Sequence, residues 1–534
     1  MKNIIFQLLL VCLPALLAGQ NYRWEIIHGV PTRNEKTYHV MEDYDKGLYV
    51  SGRSWIDYEY PGDAWSIKTD VNGNLLYDKK LKHEEYTLIT TNAAFDDDGN
   101  KYLCGAVYTE TTQWPFVSKL DVCGDLVWCK MLDENEFSHG FAQSLLINEN
   151  NELIVLSHYS QPSQTFGIFL TGFDLTGEVL WQKPYATKID YPLLDFRGAD
   201  DFIEFNNNYY ITGICYYPFP HDPDHLWMRA MFIGIDSMFN EKFMVPFMYQ
   251  DSVFANSLSI IPINDSVLMG AGGRRMPPNL TTVAVTLMFI TTNGKEIGHI
   301  EIPNEAIGPD VIEAYPYDIE KINDTLLITS SYFGNQSGGN PLGEIIMSTS
   351  GDVYKLATEA VMESATLLKT YDDNFVLAGN KRQNNSLWYD IMLRKINADL
   401  ESVAFDTTQR VYDSLCPHTI QSSTLDLTAC LTPVNVNELP PPDVYYESLR
   451  WIPVKAYPNP VTHGKLTLEF ANTGHHQNME LRCFDNLGRI VHSQKVYKDQ
   501  QDTELQVAGW APGVYLAIVF SNGEARGKVK FIIQ

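Results

Sequence analysis

A repeat of about fifty residues constrains the fold of this chain more than any other feature of its sequence. Its clearest copies are alternating strands that end in an Asp-x-x-Gly turn, at Trp65–Gly73, Phe116–Gly124 and Phe169–Gly177. An aromatic residue follows seven positions after each Asp, at Tyr77, Trp128 and Trp181. Four weaker copies are centred on Asp236, Thr291, Ser348 and Asn397, and only the first keeps the aromatic residue, as Phe243. A period of this length is typical of propeller blades.

A second recurring element lies ahead of each anchor and consists of a polar turn, an apolar strand and a small residue. Examples run from Asp97 to Gly105, from Asn264 to Gly270 and from Asp373 to Gly379. Each repeat therefore has two tight hairpins, in which Asn, Asp and Gly supply the positive φ angles. The pattern predicts seven repeats of four strands, from about Tyr38 to Thr408.

Residues 20–408 are thus predicted to form an all-β fold, a seven-bladed β-propeller of four-stranded blades. A helical fold is disfavoured because stretches of period 3.6 are hard to find and β-branched and aromatic residues dominate. A long array of β-sandwiches is the alternative. The segment Tyr22–Ile27 resembles one more outermost strand with Trp24 in the aromatic place. We expect this strand to pair into the last blade, near residues 385–408, and to close the ring.

Residues 1–19 carry the features of a signal peptide. Lys2 supplies a basic start, Ile4–Leu17 is almost wholly apolar, and Leu17-Ala18-Gly19 offers small residues for cleavage. The apolar run is shorter than the roughly 20 residues that a membrane-spanning helix needs. No later segment is predicted to span a membrane.

The charge of the chain disfavours nucleic acid as a partner. Its 39 Lys and Arg stand against 66 Asp and Glu, which gives a formal net charge of −27. A chain this acidic repels phosphate backbones. Acidity suits a secreted protein but selects no particular function.

The repeat stops near Gln409, and residues 409–452 are predicted to be a linker with cysteines and prolines, including the stiff spacer Pro440-Pro441-Pro442. Cys416 and Cys430 lie close together in an irregular stretch, and we predict that they form a disulfide. Cys123 and Cys129 flank a hairpin turn and could face each other. Seven cysteines remain once the signal peptide is removed, so at least one lacks a partner within the chain. Firm partners are not assigned to Cys104, Cys123, Cys129, Cys215 and Cys483.

Residues 453–534 are predicted to form a small, separate β-domain. Strands are expected at Leu466–Phe470, Glu480–Phe484, Ile490–Ser493, Leu505–Val507 and Val514–Phe520, with Pro and Gly between them. An immunoglobulin-like sandwich of about seven strands fits this pattern.

The same segment carries an ordered series of short motifs. These are Tyr457-Pro458-Asn459-Pro460, the turn from Asp485 through Gly488 to Arg489, Gly513 with Tyr515, and a basic and apolar terminus that contains Lys530. Together they resemble the C-terminal sorting domain of the bacterial type IX secretion system. The resemblance implies recognition by the outer-membrane translocon, export through the periplasm and outer membrane, and an extracellular or cell-surface location. It also implies cleavage of the tail, followed by release or by attachment to surface polysaccharide.

Ligand binding is predicted on one rim of the propeller. The short hairpin turns fall on one rim, whereas the longer links between second and third strands, and between blades, fall on the other. Variable loops on a rigid scaffold are where binding usually lies. Aromatic rings in these links suit sugar or protein surfaces, although the alternative is packing against neighbouring blades. The candidate ligand-binding residues are Trp55, Tyr58, Tyr60, Trp114, Tyr159, Tyr217, Trp227, Tyr332 and Trp388.

No catalytic residue, metal or cofactor is predicted, because the motifs of nucleophilic elbows, zinc helices and phosphate loops are missing from the sequence. His221 and His225 flank acidic residues in the longest insertion and are interpreted as solvated surface rather than metal ligands. The Asp96–Asn100 segment is interpreted as a turn rather than a calcium loop. The predicted function is therefore a secreted or surface binding protein for a glycan or a protein. The alternatives are a glycan- or peptide-cleaving enzyme on the same scaffold and a structural surface component.

Overall fold

The computed structural model describes residues 24–56, 59–109, 111–133, 139–160, 166–186, 195–219, 222–247, 256–275, 282–335, 342–359, 362–382, 388–431, 433–436, 439–442, 452–470, 479–497, 500–521 and 523–534. The predicted signal peptide, Tyr58 and His221 lie outside these residues. The chain divides into two compact units, one that ends at Leu439 and one that begins at Pro440. Among the described residues, we find no helix with the length and apolar character that crossing a bilayer requires.

The first unit consists of strands that pair as seven successive groups of four. Group 1 contains β2 (Asn34–Glu42), β3 (Leu48–Ile56), β4 (Glu59–Thr69) and β5 (Leu75–Lys82). Group 2 contains β6 (Thr87–Phe95), β7 (Lys101–Tyr108), β8 (Gln113–Leu120) and β9 (Leu126–Asp133). Group 3 contains β10 (His139–Ile147), β11 (Glu152–Ser160), β12 (Phe166–Asp174) and β13 (Val179–Tyr185). Group 4 contains β14 (Asp195–Phe205), β15 (Asn208–Phe219), β16 (Asp222–Ile235) and β17 (Glu241–Pro246).

The remaining groups follow the same order along the chain. Group 5 contains β18 (Ser259–Asn264), β19 (Val267–Arg275), β20 (Val283–Thr291) and β21 (Glu296–Ile302), after which comes a short helix, α1 (Asn304–Ile307). Group 6 contains β22 (Val311–Lys321), β23 (Leu326–Asn335), β24 (Leu342–Ser348) and β25 (Val353–Glu359). Group 7 contains β26 (Met362–Lys369), β27 (Phe375–Arg382), β28 (Tyr389–Ile396) and, from the other end of the unit, β1 (Glu25–His28). Within every group, neighbouring strands are antiparallel.

The N-terminal strand completes group 7, as predicted. Glu25 pairs with Arg394 and His28 pairs with Ile391. Trp24, which is fully buried, accepts a 3.1 Å hydrogen bond at its carbonyl from the backbone N–H of Lys395. The first described strand of the unit is therefore held by the last group of the repeat.

The recurring aromatic residues of the outermost strands pack against a turn of the following group. A Cβ placed on Gly73 of group 1, where φ is +79°, would lie 2.8 Å from Trp24 Cη2 of group 7. Glycine is required there because the turn needs a positive φ and the indole fills the space. The equivalent contacts are Tyr77 with Gly124, Trp128 with Gly177, Trp181 with Phe239 and Phe243 with Gly294. The packing thus links each of these groups to the next, including the last to the first.

The segment after group 7 lies against groups 1 and 2, and we call residues 406–436 the strap. Its two strands, β29 (Ser423–Asp426) and β30 (Pro433–Asn435), extend β5 and β9 as parallel neighbours. Apolar strap residues, including Leu427 and Val436, are buried in the cores of these groups. This stretch of the predicted linker therefore adds strands to two sheets of the first unit.

The predicted Cys416–Cys430 disulfide is wrong, and Cys123 and Cys129 do not pair with each other. Instead, Cys123 bonds to Cys416 and Cys129 bonds to Cys430, across 293 and 301 positions. The strap brings both of its cysteines alongside group 2, so each thiol meets a partner on that group rather than on its own segment. Two covalent links thus fasten the strap to the repeat region.

The second unit contains seven described strands in two antiparallel sheets. The three-stranded sheet has the order β31 (Val454–Tyr457), β32 (Lys465–Phe470), β35 (Asp502–Gln506). The four-stranded sheet has the order β34 (Ile490–Val496), β33 (Met479–Phe484), β36 (Gly513–Ser521), β37 (Glu524–Ile533). Alternate residues of both sheets, such as Leu466, Leu468, Leu481 and Val519, share one buried core.

Candidate functional site

The sorting motifs of the second unit meet at its last strand. Asn459 donates from Nδ2 to the carbonyl of Lys530 over 3.0 Å, and its Oδ1 accepts the backbone N–H of Ile532 at 3.0 Å. The first and the last motif are therefore neighbours, although 71 positions separate Asn459 from Lys530. The amide of Asn459 holds the start of the unit against strand β37.

The other motif residues shape turns and the core. Asp485 accepts the backbone N–H groups of Leu487 and Arg489 at 2.9 Å each, and its carboxylate also pairs with the Arg489 side chain at 2.8 Å. Gly488 adopts φ +76°, which the turn requires. Tyr515 points inward and donates to the carbonyl of Ala511 at 2.8 Å. Most of the motif thus specifies the fold of this unit, and it leaves the Arg489 and Lys530 side chains exposed.

Several predicted rim aromatics of the first unit are packing residues. Tyr159 is fully buried and meets Phe169 edge-on, with ring centroids 5.2 Å apart. Tyr332 stacks on Tyr315 at 4.9 Å beside the core of groups 6 and 7. Trp114 packs against the core shared by groups 1 and 2. All three side chains therefore have packing partners, and Trp114 and Tyr332 are half-buried.

The remaining rim residues lie where the second strand of a group gives way to the third, an end that we call the loop rim. Tyr217 and Trp227 face each other across β15 and β16, and both are half-buried. Trp55 is the next-to-last residue of β3, Tyr60 lies in β4, and Trp388 directly precedes β28. Trp55 and Trp388 are half-buried as well.

At the junction of groups 7 and 1, aromatic residues of both groups lie at the ends of strands on the loop rim. Trp55 of group 1 lies opposite Asn34, whose Oδ1 accepts the backbone N–H of Tyr389 of group 7 at 3.1 Å. Trp55, Trp388 and Tyr389 are all half-buried. Tyr389 was not among the predicted residues, because its place beside group 1 depends on a contact between the first and the last group. The junction brings three aromatic side chains to neighbouring strand ends.

A second candidate region is a cavity of about 550 Å³ that is lined by residues of all seven groups, mostly from their first strands. A polar residue recurs at one equivalent position of those strands, in each case paired with a residue near the middle of the second strand. The set is His39, Asn92, Ser144, Asp201, Ser259, Asp318 and Thr366. We call it the polar ring. These polar residues also recur in the sequence, once in each repeat. They were not predicted from the sequence, because the pattern of aromatic residues and glycines is stronger.

Hydrogen bonds run around the polar ring from group to group. Asp201 accepts the backbone N–H of Ile260 at 2.9 Å, and Asp318 accepts that of Leu367 at 2.9 Å. The Ser259 hydroxyl lies 3.3 Å from a carboxylate oxygen of each of these acids. Both carboxylates therefore tie adjacent first strands together.

Burial raises the pKa values of several carboxyl groups that line this cavity. It raises the pKa of Asp200 and of Glu320 to about 7 and that of Asp318 to about 6, with neighbouring carboxylates adding to the shift. Asp200 Oδ2 has no exposed surface and accepts no hydrogen bond from a described residue. Such pKa values suit proton transfer near neutral pH, although Glu35, which does not line the cavity, also has its pKa raised to about 7 by burial.

Two acidic clusters have structural explanations. Asp43 Oδ2 and Asp45 Oδ1 each lie 2.6 Å from the buried Lys68 Nζ, and Asp45 Oδ2 also accepts the backbone N–H of Asp413 in the strap. Asp96 accepts the backbone N–H groups of Asp98 and Asn100, so that segment is a turn closed by its own side chain. Neither cluster needs a cation to account for its geometry.

The second unit matches a known protein family. Residues 455–534 match the family described as "Secretion system C-terminal sorting domain". The chain is thus a protein exported by the type IX secretion system, through that machinery, to the cell surface or the extracellular space. None of the curated proteins matches the chain.

Solved structures resemble the chain only distantly. A protein of unknown function from Dyadobacter fermentans has 9% identity and a TM-score of 0.39, over 62% of this chain and 99% of its own. Drosophila Semaphorin 2a has 10% identity and a TM-score of 0.40, over 96% and 97%. Polysaccharide lyase Uly1 has 10% identity and a TM-score of 0.42, over 68% and 90%. At these values the similarities decide neither activity nor ligand.

Proposed function

We propose that residues 20–408 form a seven-bladed β-propeller, preceded by a signal peptide at 1–19 and followed through residues 409–452 by an immunoglobulin-like sorting domain at 453–534. Three observations support the ring. All seven groups contribute to one cavity, polar side chains connect neighbouring first strands, and β1 completes group 7 while Trp24 packs on group 1. A linear array would have no reason to join its two ends.

The function proposed for this ring is binding of a glycan at the cell surface or in the medium. The observation that carries it is that Trp55 of group 1 and Trp388 and Tyr389 of group 7 lie half-buried at strand ends on the loop rim, where Asn34 joins the two groups. Flat aromatic faces with an adjacent amide suit sugar rings, because they supply contact area at little cost in side-chain entropy.

Glycan hydrolysis is the second candidate, and the carboxyl groups of the cavity favour it. Hydrolysis needs an acid and a base or nucleophile on either side of the scissile bond, with separated pKa values. Asp201 and Asp318, however, already accept backbone hydrogen bonds that join adjacent strands. This occupation is the reason for placing binding ahead of catalysis.

The test is a glycan array probed with the purified full-length chain, with product release measured on the same polymers. Retention of a glycan without cleavage is the expected result, and Trp55→Ala should abolish that retention. Tyr354→Ala is the matched control, since this exposed aromatic residue lies on the outermost strand of group 6. Cleavage that is lost in Asp200→Asn would replace binding with hydrolysis as the function.

A further inference from the structure

We propose that the outer face of the four-stranded sheet in the second unit is a docking surface for a protein of the export machinery, one that presents carboxylates beside apolar side chains. We call this surface, formed by the outward side chains of β33, β34, β36 and β37, the basic face. The inference concerns a different unit from the proposed glycan site and does not depend on it. It rests on the match of residues 455–534 to the sorting family, whose role requires recognition by that machinery.

Strand alternation identifies the side chains of the basic face. Successive side chains of a strand point to opposite faces of the sheet. The core of the second unit takes Tyr515, Ala517 and Val519 from β36. The intervening residues of β36 therefore lie on the outer face, together with the residues that pair with them on β33 and β37.

An apolar row crosses this face near one end of the sheet. Ile490 pairs with Phe484, Phe484 pairs with Leu516, and Leu516 pairs with Lys530. Ile490 is 55% exposed, whereas Phe484 and Leu516 are half-buried. Three neighbouring strands thus contribute one apolar side chain each to a continuous line, and the fourth strand ends the line with a lysine.

The same end of the sheet exposes further apolar side chains. Val514 and Ile532 pair with each other next to the row, and both are exposed. Leu487, in the turn between β33 and β34, is 72% exposed. The outer face of an antiparallel sheet is usually polar, so a contiguous apolar patch there indicates a contact surface. Asn459 of the first sorting motif holds the backbone of Ile532, which places this patch where the motifs meet.

Cations lie on both sides of the patch. Lys530 and Lys528 are exposed on β37, and Lys495 is exposed on β34, at the opposite edge of the sheet. Lys495 and Lys530 form no ion pair with any described residue. Glu480, which lies opposite Lys495, is paired with Arg482 at 2.6 Å. The face therefore carries a net positive charge that an acidic partner can neutralise.

The outer face of the three-stranded sheet has a different character. It carries Lys455 and Lys465 together with Glu469, Asp502 and Glu504. Lys465 is already paired with Glu504 at 2.9 Å. Within the described strands of this sheet, no aliphatic side chain is exposed. Its outer face is thus an ordinary solvated surface, and it supplies matched controls.

The charge of the second unit differs in sign from that of the remaining chain. Residues 455–534 hold 9 of the 39 Lys and Arg and 7 of the 66 Asp and Glu, which gives +2. The preceding residues hold the other 30 and 59, which gives −29. A surface rich in carboxylates attracts the basic face and repels the rest of the chain. Charge complementarity therefore favours an acidic receptor, because it selects the correct end of the chain.

Size and charge favour a transient complex with a different protein. Four strands and the nine residues of β36 give a face of roughly 20 by 30 Å, or about 600 Å², at standard strand spacings. Stable complexes use about 800 Å² per partner, so this area suits a receptor that later releases the chain. A second copy of the chain is disfavoured, since pairing two basic faces would bring like charges together.

The first experiment measures the exported fraction of full-length variants by immunoblots of medium, cell surface and periplasm. Lys530→Glu should lower this fraction about tenfold, because it replaces attraction to the receptor with repulsion. Ile490→Ser should lower it severalfold, because an exposed apolar contact is lost. Lys455→Glu is the matched control, since it reverses an exposed charge on the other sheet, and it should leave export unchanged. Unaltered thermal unfolding of each variant shows that a loss of export is local.

The second experiment identifies the partner. A photoreactive amino acid is placed at position 495 on the basic face or, as a control, at position 455 on the other sheet of the full-length chain. We expect crosslinking from position 495 alone, to an outer-membrane protein of the export machinery and through a segment that contains Asp or Glu. Replacing those acidic residues with Lys should restore export of the Lys530→Glu variant.

Several results would overturn the proposal. These are normal export of Lys530→Glu and Ile490→Ser, equal crosslinking from both sheets, and failure of the charge reversal in the partner to restore export. Crosslinking to lipid alone, to a second copy of this chain or to a segment without acidic residues would overturn the stated partner. Each of these results leaves glycan binding by the first unit untouched.

Discussion

The repeat preserves a short side chain that carries an oxygen atom at the end of the third strand. Asp70 Oδ1 accepts the backbone N–H groups of Asn72 and Asn74 at 2.8 Å each. Thr291 and Ser348 perform the same task with a hydroxyl, accepting from Lys295 at 3.0 Å and from Asp352 at 2.9 Å. The weaker copies of the repeat are therefore chemically equivalent, since each closes the turn with its own side chain.

Trp24 is a fully buried residue that connects group 7 with Gly73 of group 1. Replacing it with Ala should lower the free energy of unfolding by about 3–5 kcal/mol, because a fully buried indole leaves a cavity between groups 7 and 1. Denaturant unfolding checks this value. Ile27→Ala in the adjoining strand β1, where the side chain is 37% exposed, should cost far less. If both variants lost the same small amount of unfolding free energy, Trp24 would have no special role in joining groups 7 and 1.

Asp200 should make stability depend on pH. Its folded-state pKa of about 7 lies above its ordinary value, so the folded state favours the protonated form. Its contribution is complete below about pH 4 and is lost as the pH rises through 7. Asp200→Asn should therefore raise stability at pH 8 by about 1–3 kcal/mol relative to pH 5.

Thermal unfolding of this variant across pH 4–9 makes the measurement. Asp97→Asn removes the same charge from an exposed turn position and should leave the pH profile unchanged. An identical shift in both variants would show that overall charge, rather than burial of Asp200, sets the dependence.

The strap is the element that most alters how the chain is held together. Because its disulfides close loops of about 300 residues, Cys416→Ser or Cys430→Ser should each cost about 2–5 kcal/mol. Cys123→Ser should cost as much as Cys416→Ser, and the double variant no more than either. Peptide mapping under non-reducing conditions should find Cys123–Cys416 and Cys129–Cys430. A Cys416–Cys430 peptide would contradict the structure.

Local pattern could predict much of the fold and little of the site. The hairpins, the four-strand period and the place of Trp24 follow from turn residues and aromatic spacing, which act over a few positions. The cysteine partners do not, because the strap returns across the whole repeat before it meets Cys123 and Cys129. The contact between Asn34 and Tyr389 escapes for the same reason, as it exists only where the first group meets the last.

At the scale of the whole molecule, the second unit decides where the chain is delivered. Removal of residues 454–534 should abolish export, and immunoblots of medium and periplasm would show the product retained inside. Asn459→Ala should lower export in part, because it removes two hydrogen bonds, about 1–2 kcal/mol in all, that hold β37. Lys465→Ala, on the exposed face of the other sheet, is the control. Undiminished export of the truncated chain would show that another signal directs it.

The most direct test of the whole account is a crystal structure of the secreted protein with the oligosaccharide it retains. We predict seven four-stranded blades around one cavity, β1 in the last blade, and the sugar against Trp55 on the loop rim. An open array of sheets would contradict the fold. A cleaved sugar in the cavity beside Asp200 would contradict the function.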